Sequence, residues 1–155
     1  MTATLVHSVR LVDDGVETPD AWVLFADGTV RDRGTGDSWR TVAANGTPRV
    51  VDGADRVLTP GFVDAHVHGG GGTAFDDGAA AIHTALATHR RHGTTRSVIS
   101  LVSAPIDRLV ERLGVVAGVA ESDPTVLGAH LEGPFLSPDN RGAHDPSALV
   151  DPTVE

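Results

Sequence analysis

The sequence predicts an α/β protein in which a small β unit, residues 1–57, is followed by strand–helix repeats over residues 58–155. Three observations carry this reading. Before Val57 the apolar residues fall in short, β-branched runs separated by Asp-Gly turns, the pattern of antiparallel strands. After Val57 short apolar runs alternate with segments of helical period, the pattern of parallel βαβ units. No apolar run approaches the roughly 20 residues that a membrane-spanning helix needs.

Taken in order, Leu5-Val6-His7-Ser8-Val9-Arg10-Leu11-Val12 is a strand that runs into Asp13-Asp14-Gly15, a hairpin signal. Ala21-Trp22-Val23-Leu24-Phe25 is the returning strand, closed by the turn Ala26-Asp27-Gly28-Thr29. Residues 31–48 are polar and Gly-rich and read as a loop, and Val50-Val51-Asp52 is a short strand. No helical period is found in this β-sandwich-like unit. Residues 57–69 form an apolar strand that ends in four glycines. Between 78 and 92, Ile82, Ala85, Leu86 and His89 recur at i, i+3, i+4 and i+7, an amphipathic helix that Gly93 closes. Residues 95–102 are the next strand. Pro105 opens a second helix, with Ile106, Leu109, Val110, Leu113 and Ala117 as its apolar face. Residues 126–131 make a third strand, 133–146 a long loop, and another helix begins at Ser147. A complete (β/α)8 barrel takes ~250 residues, with ~200 as a lower limit. Three strands therefore make either a small open α/β sheet or the front portion of something larger.

The chain has 155 residues, 40% of them hydrophobic, with a formal net charge of −9. That suits one domain with a small appendage. It contains no cysteine, so any metal must be held by His, Asp, Glu or water. The acidic balance argues against a nucleic-acid partner, which needs clustered positive charge to replace phosphate counterions. An anionic small substrate remains compatible, because one Arg or a helix N-terminus can bind a phosphate within an acidic protein. The N-terminus lacks a basic region followed by an apolar core, so the expectation is a cytoplasmic protein without a membrane partner.

In Phe62-Val63-Asp64-Ala65-His66-Val67-His68 alternate side chains share a strand face, which puts Asp64, His66 and His68 on one side. Two imidazoles at this spacing can converge on one cation, and neutral imidazole suits Zn2+ or Fe2+. Asp64 could hydrogen-bond a ligand or stiffen the strand. Gly69 to Gly72 let the backbone turn and leave room over the metal. A bare His-x-His is often a chance pair. Here it closes a strand at the C-terminal end of the first βα unit, where parallel-sheet enzymes place their chemistry. Glu132 ends the third strand and could ligate or bridge metals beside the pair, or form an ordinary salt bridge. His130, one layer lower, reads as a hydrogen-bonded core histidine. His144, in the loop Asn140-Arg141-Gly142-Ala143-His144-Asp145-Pro146, could bind substrate, polarise a carbonyl or simply be solvated. His7, His83, His89 and His92 read as surface or packing residues. No GxSxG elbow, Walker-type loop or dinucleotide fingerprint is present. Asp76 and Asp77, at the next helix start, disfavour a phosphate beside the glycines.

The segment VVDGADRVLTPGFVDAHVHGGGG resembles the opening strand of the barrel in the amidohydrolase superfamily. GAHLEGPFLSPDNRGAHDPSAL is similar to its N-acetylglucosamine-6-phosphate deacetylase family, and HGTTRSVISLVSAP fits that family's second strand. The resemblance implies a small N-terminal β domain followed by the first three βα units of a TIM-type (β/α)8 barrel. It implies that His66 and His68 hold one divalent metal and that Glu132 ligates or bridges another, Zn2+ or Fe2+, two per complete site. Gly133, the backbone of Ala143, and His144 would contact the sugar. The implied reaction converts N-acetylglucosamine 6-phosphate to glucosamine 6-phosphate and acetate by water activated at the metal, with an Asp as general base. The complete enzyme would be a homodimer.

The family's two further His ligands, its catalytic Asp and its main phosphate contacts belong to later strands. The expectation is therefore that they lie beyond residue 155, that no catalytic residue falls within the chain, and that the isolated polypeptide is inactive. An open edge on the third strand would favour association. Two other readings stand beside this one. Another amidohydrolase, dihydroorotase-like or aminoacylase-like, is disfavoured by HLEGPF followed by GAH. A non-catalytic metal- or sugar-phosphate-binding fragment is the other.

Overall fold

In the computed structural model, which describes residues 3–46 and 48–153, the chain divides into two units, Met1–Pro60 and Gly61–Glu155. The first contains β1 (Thr4–Asp13), β2 (Val16–Ala26), β3 (Thr29–Thr35), α1 (Trp39–Gly46), β4 (Arg49–Asp52) and β5 (Val57–Leu58). The strand order is β3-β2-β1-β4, and β5 also pairs with β1. Both hairpins turn on Asp-Gly: Asp14 and Gly15 have φ of 50° and 73°, Asp27 and Gly28 of 53° and 73°. These positive values suit the tight turns whose twist matches that of the flanking strands. Leu5, Val9, Ala21, Trp22 and Val23 are buried at the centre of the sheet. Trp22 Nε1 donates to Ser38 Oγ at 2.8 Å.

Residues 31–48 correct the sequence reading. They are not a loop: β3 extends to Thr35, and α1 follows. Neither has a buried residue, so no apolar period marks them in the sequence. β3 is held by its ladder to β2, and Trp39 of α1 stacks on His7 with ring centroids 4.0 Å apart. The strand expected over 57–69 also divides. Val57-Leu58 pairs with β1, and a new strand starts at Phe62, after Pro60, which has no N–H to donate to a ladder.

The second unit contains β6 (Phe62–Val67), β7 (Gly69–Gly70), β8 (Thr73–Ala74), α2 (Ala79–Arg90), β9 (Thr94–Leu101), α3 (Ile106–Ser122) and β10 (Val126–Leu131). Its main sheet is parallel, in the order β10-β9-β6, while β7 and β8 form a small antiparallel hairpin. Phe75, Ile82, Ala85 and Leu86 pack with Ile99 and Leu101 of β9, Val116 and Val119 of α3, and Val126 of β10. The buried face of α2 is the one its period predicts. That of α3 is rotated: Leu109, Val116 and Val119 are buried, while Ile106 and Val110 are 52% and 63% exposed. α3 carries two apolar stripes, and only packing against the sheet selects one.

β6 is not a buried strand. It is an edge strand with Phe62 and Val63 about three-fifths exposed, and only Val67 packs against the core. No helix starts at Ser147 either. A single 3-10 turn, Pro146–Ala148, is capped by Asp145 and gives way to extended backbone at Leu149. Residues 154 and 155 lie outside the described residues. Among the described residues no helix is long and apolar enough to cross a membrane.

Candidate metal centre

Strand alternation turns Val67 into the core, which turns His66 and His68 to the opposite face of β6. Their Nε2 atoms stand 3.1 Å apart. β9 lies between β6 and β10, so the C-terminal ends of these two strands flank a shared neighbour. Glu132 continues that register by donating its N–H to Leu101 O at 3.1 Å. Its carboxylate then reaches across: Oε2 lies 2.9 Å from His68 Nε2, and Oε1 lies 3.8 Å from His66 Nε2. The three donor atoms fall within 4.8 Å of one another.

This donor set fits a divalent cation. Two nitrogens held at about 2.0–2.1 Å in a tetrahedral shell stand about 3.3 Å apart, close to the spacing of the two imidazoles. One carboxylate and two imidazoles are also the ligand chemistry of Zn2+ and Fe2+ sites. His68 turns Nε2 toward Glu132 and His66, while among the described residues its Nδ1 is buried without a hydrogen-bond partner. Asp64 stiffens the strand, its Oδ1 accepting from His66 N at 3.3 Å.

His144 is brought to the same place from the loop after β10. Its side chain is only 11% exposed, so this is no solvated loop histidine. Nδ1 accepts from the Ser103 N–H at 3.2 Å and meets Ser103 Oγ at 2.8 Å. A backbone N–H only donates, so Nδ1 carries the lone pair, Nε2 carries the proton, and the Ser103 hydroxyl donates too. Nε2 stands 3.5 Å from Glu132 Oε2. Arg141 donates to the His144 carbonyl at 2.8 Å and steadies the loop. A cavity of about 660 Å³ opens here, lined by His68, Ser103, Glu132, Ala143, His144 and Asp145 among others. Asp145 is occupied elsewhere: its Oδ1 accepts from Ser147 N and Oγ, both at 2.8 Å. Gly133 has no room for a side chain, since a Cβ there would stand 1.8 Å from Ser103 Oγ.

The remaining histidines separate cleanly. His130 bonds Ser100 Oγ at 3.2 Å, lies edge-on to His66 and stays outside the three-donor cluster. His83 and His92 are exposed. His89 reaches back to Gly69 O. Ser103 is the residue that sequence reading misses, because a serine following a strand carries no signal of the loop histidine 41 residues later that it binds. The glycine run also differs from expectation. The space cleared at Gly70 and Gly71 is taken by His89 and Thr88 of α2 rather than left open over the histidines.

Two histidines and a glutamate gathered at the C-terminal ends of parallel strands are a donor set of the kind that metal-dependent hydrolases use. The chain belongs to the amidohydrolase family, a metal-dependent family whose model matches residues 57–154. It is 36% identical over 106 residues to the N-acetylglucosamine-6-phosphate deacetylase of Danio rerio, covering 64% of this chain and 26% of that protein. It is also 36% identical over 94 residues to the N-acetylgalactosamine-6-phosphate deacetylase of Escherichia coli O157:H7, covering 58% of this chain and 25% of that protein. Among solved structures it is similar to a mutant N-acetyl-D-glucosamine-6-phosphate deacetylase from Mycobacterium smegmatis in complex with N-acetyl-D-glucosamine-6-phosphate. That likeness has a TM-score of 0.74 at 32% identity, over 98% of this chain and 38% of the other. The matched stretch spans about a quarter of the length of these curated relatives.

Proposed function

We propose that this chain supplies the first part of the active site of a deacetylase that hydrolyses the acetamide of N-acetylglucosamine 6-phosphate, yielding glucosamine 6-phosphate and acetate. The observation that carries the reading is the convergence of His66, His68 and Glu132 beside His144, in a chain whose relatives bear that activity in their names. In this reading the second unit is the first three βα units of a (β/α)8 barrel. His66 and His68 hold one divalent metal, and Glu132 ligates or bridges a second. A bound Zn2+ or Fe2+ supplies Lewis acidity for the amide carbonyl and a water acidified to near-neutral pKa. His144 offers its Nε2 proton to the substrate's acetamide. Gly133 keeps the floor beside Glu132 low, and the Ala143 backbone lies against the sugar. The amide C–N bond breaks, the acetyl carbon takes the water's oxygen, and the amine leaves with a proton.

That proton needs a general base, and neither carboxylate that lines the cavity is free to act as one. Glu132 faces the two imidazoles and Asp145 is bonded to Ser147. The polypeptide of residues 1–155 by itself is accordingly inactive in this reading, and the complete enzyme is a cytoplasmic homodimer. The test is a chimera in which residues 1–155 replace the matched portion of the Mycobacterium smegmatis deacetylase, assayed by acetate release. The chimera hydrolyses N-acetylglucosamine 6-phosphate, His66→Ala and Glu132→Gln abolish this, and the 155-residue chain alone releases nothing. Turnover by the chain alone, or a folded but silent chimera, would overturn the proposal. The C4 epimer, N-acetylgalactosamine 6-phosphate, is the second reading, carried by the equal identity to the Escherichia coli relative, and the same assay run on both sugars separates them.

A further inference from the structure

The two imidazoles of the candidate centre sit on a strand that leads directly into four consecutive glycines, the least constrained backbone a chain can have. Gly69 adopts φ of +155°. Something must hold His68 in place at the mouth of this segment, because a metal constellation tolerates only about 0.5 Å of misplacement. The hydrogen bonds of the segment show what does. His68 O accepts from Phe75 N at 2.9 Å, closing the base of the β7–β8 hairpin, and Gly70 O accepts from Thr73 Oγ1 at 3.0 Å across its turn. The carbonyl between them, Gly69 O, is met from α2: His89 Nε2 lies 2.8 Å away. A carbonyl only accepts, so His89 Nε2 carries a proton and donates it.

The glycines are shaped around this contact. A Cβ on Gly70 would stand 2.7 Å from His89 Nε2, and one on Gly71 would stand 2.5 Å from Thr88 Oγ1. Two glycines therefore clear the way for two consecutive side chains of one helix. The helix that carries them is itself anchored, with Ile82, Ala85 and Leu86 in the core. A donor on a rigid element thus fixes the peptide that follows His68.

We propose that His89 is a positioning residue for the metal centre: by donating to Gly69 O it ties the glycine segment to α2 and sets the ring of His68 against His66 and Glu132. The proposal rests on the reading of His66, His68 and Glu132 as metal ligands. Zn2+ is titrated calorimetrically into the 155-residue chain, and the component that His66→Ala removes is taken as binding at this centre. His89→Ala weakens that component about tenfold or more, the effect of losing a partner that orients a ligand. His89→Gln, whose side-chain amide can donate to the same carbonyl, retains it, and His83→Ala, at an exposed histidine of the same helix, leaves it unchanged. With Co2+ in place of Zn2+, the absorption spectrum of His89→Ala changes shape and that of His89→Gln does not. Should His89→Ala fail to fold, Gly70→Ala displaces the imidazole from the loop side and weakens binding in the same way. Wild-type affinity in folded His89→Ala or Gly70→Ala overturns the positioning role and leaves the metal centre standing. Absence of any His66-dependent Zn2+ binding in the wild-type chain overturns the metal centre and the proposal together.

Discussion

Gly133 sits directly after Glu132, and replacing it with alanine tests how the site is assembled. An added Cβ would stand 1.8 Å from Ser103 Oγ and 3.0 Å from Ser103 Cβ. Rotating the hydroxyl away removes the first collision. It also withdraws the hydroxyl from His144 Nδ1, and the Cβ–Cβ approach remains because backbone sets it. Overpacking of this kind costs about 1–3 kcal/mol. The lost hydrogen bond adds about 1 kcal/mol, so Gly133→Ala destabilises the chain by about 2–4 kcal/mol. Ser103→Ala alone loses only the hydroxyl, about 1 kcal/mol. In the double variant the hydroxyl is no longer there to collide with, so the two effects fall short of their sum by at least about 1 kcal/mol. The assay is urea unfolding of the four chains followed by far-ultraviolet circular dichroism, which reports α2 and α3. Additivity within about 0.5 kcal/mol would refute the idea that Ser103 is wedged between Gly133 and His144.

Two further outcomes are expected. The Thr125 hydroxyl and N–H, together with Arg90, hold the Asp123 carboxyl down at about 2 from its ordinary 3.8, so its contribution is complete above pH 3.8 and is lost as pH falls toward 2. Because Arg90 is 44% exposed, we discount this for solvent to about 1–2 kcal/mol. Acid titrations monitored by circular dichroism should show Asp123→Asn less stable at neutral pH and flatter between pH 4 and 2. In the first unit, Ser38→Ala leaves the buried Trp22 indole N–H without its acceptor and costs about 1–3 kcal/mol, read as a lower urea midpoint by tryptophan fluorescence. An unchanged midpoint would show that the contact carries no stability.

Much of the fold was legible because its signals are local. Asp14-Gly15 and Asp27-Gly28 name their turns by conformational preference, and Ile82, Ala85 and Leu86 mark a helix face by spacing alone. β3 and α1 were not legible, because neither buries a side chain and apolar period is the only trace that packing leaves in a sequence. The face of α3 was half legible. Two stripes satisfy the helical period, and the sheet takes the one through Leu109, Val116 and Val119.

The candidate site divides along the same line. Strand alternation places His66 and His68 on one face, and Glu132 at a strand end, from sequence alone. Their approach to one another does not follow from sequence. It depends on β9 pairing with both β6 and β10, which brings residues more than sixty positions apart within hydrogen-bonding distance. His144 and His89 make the point most sharply. As isolated letters they are a loop histidine and a helix histidine, and nothing within a turn of either says what it binds. Ser103 and Gly69, distant along the chain, give each ring its partner, because a hydrogen bond is specified by position in space and not by separation in sequence.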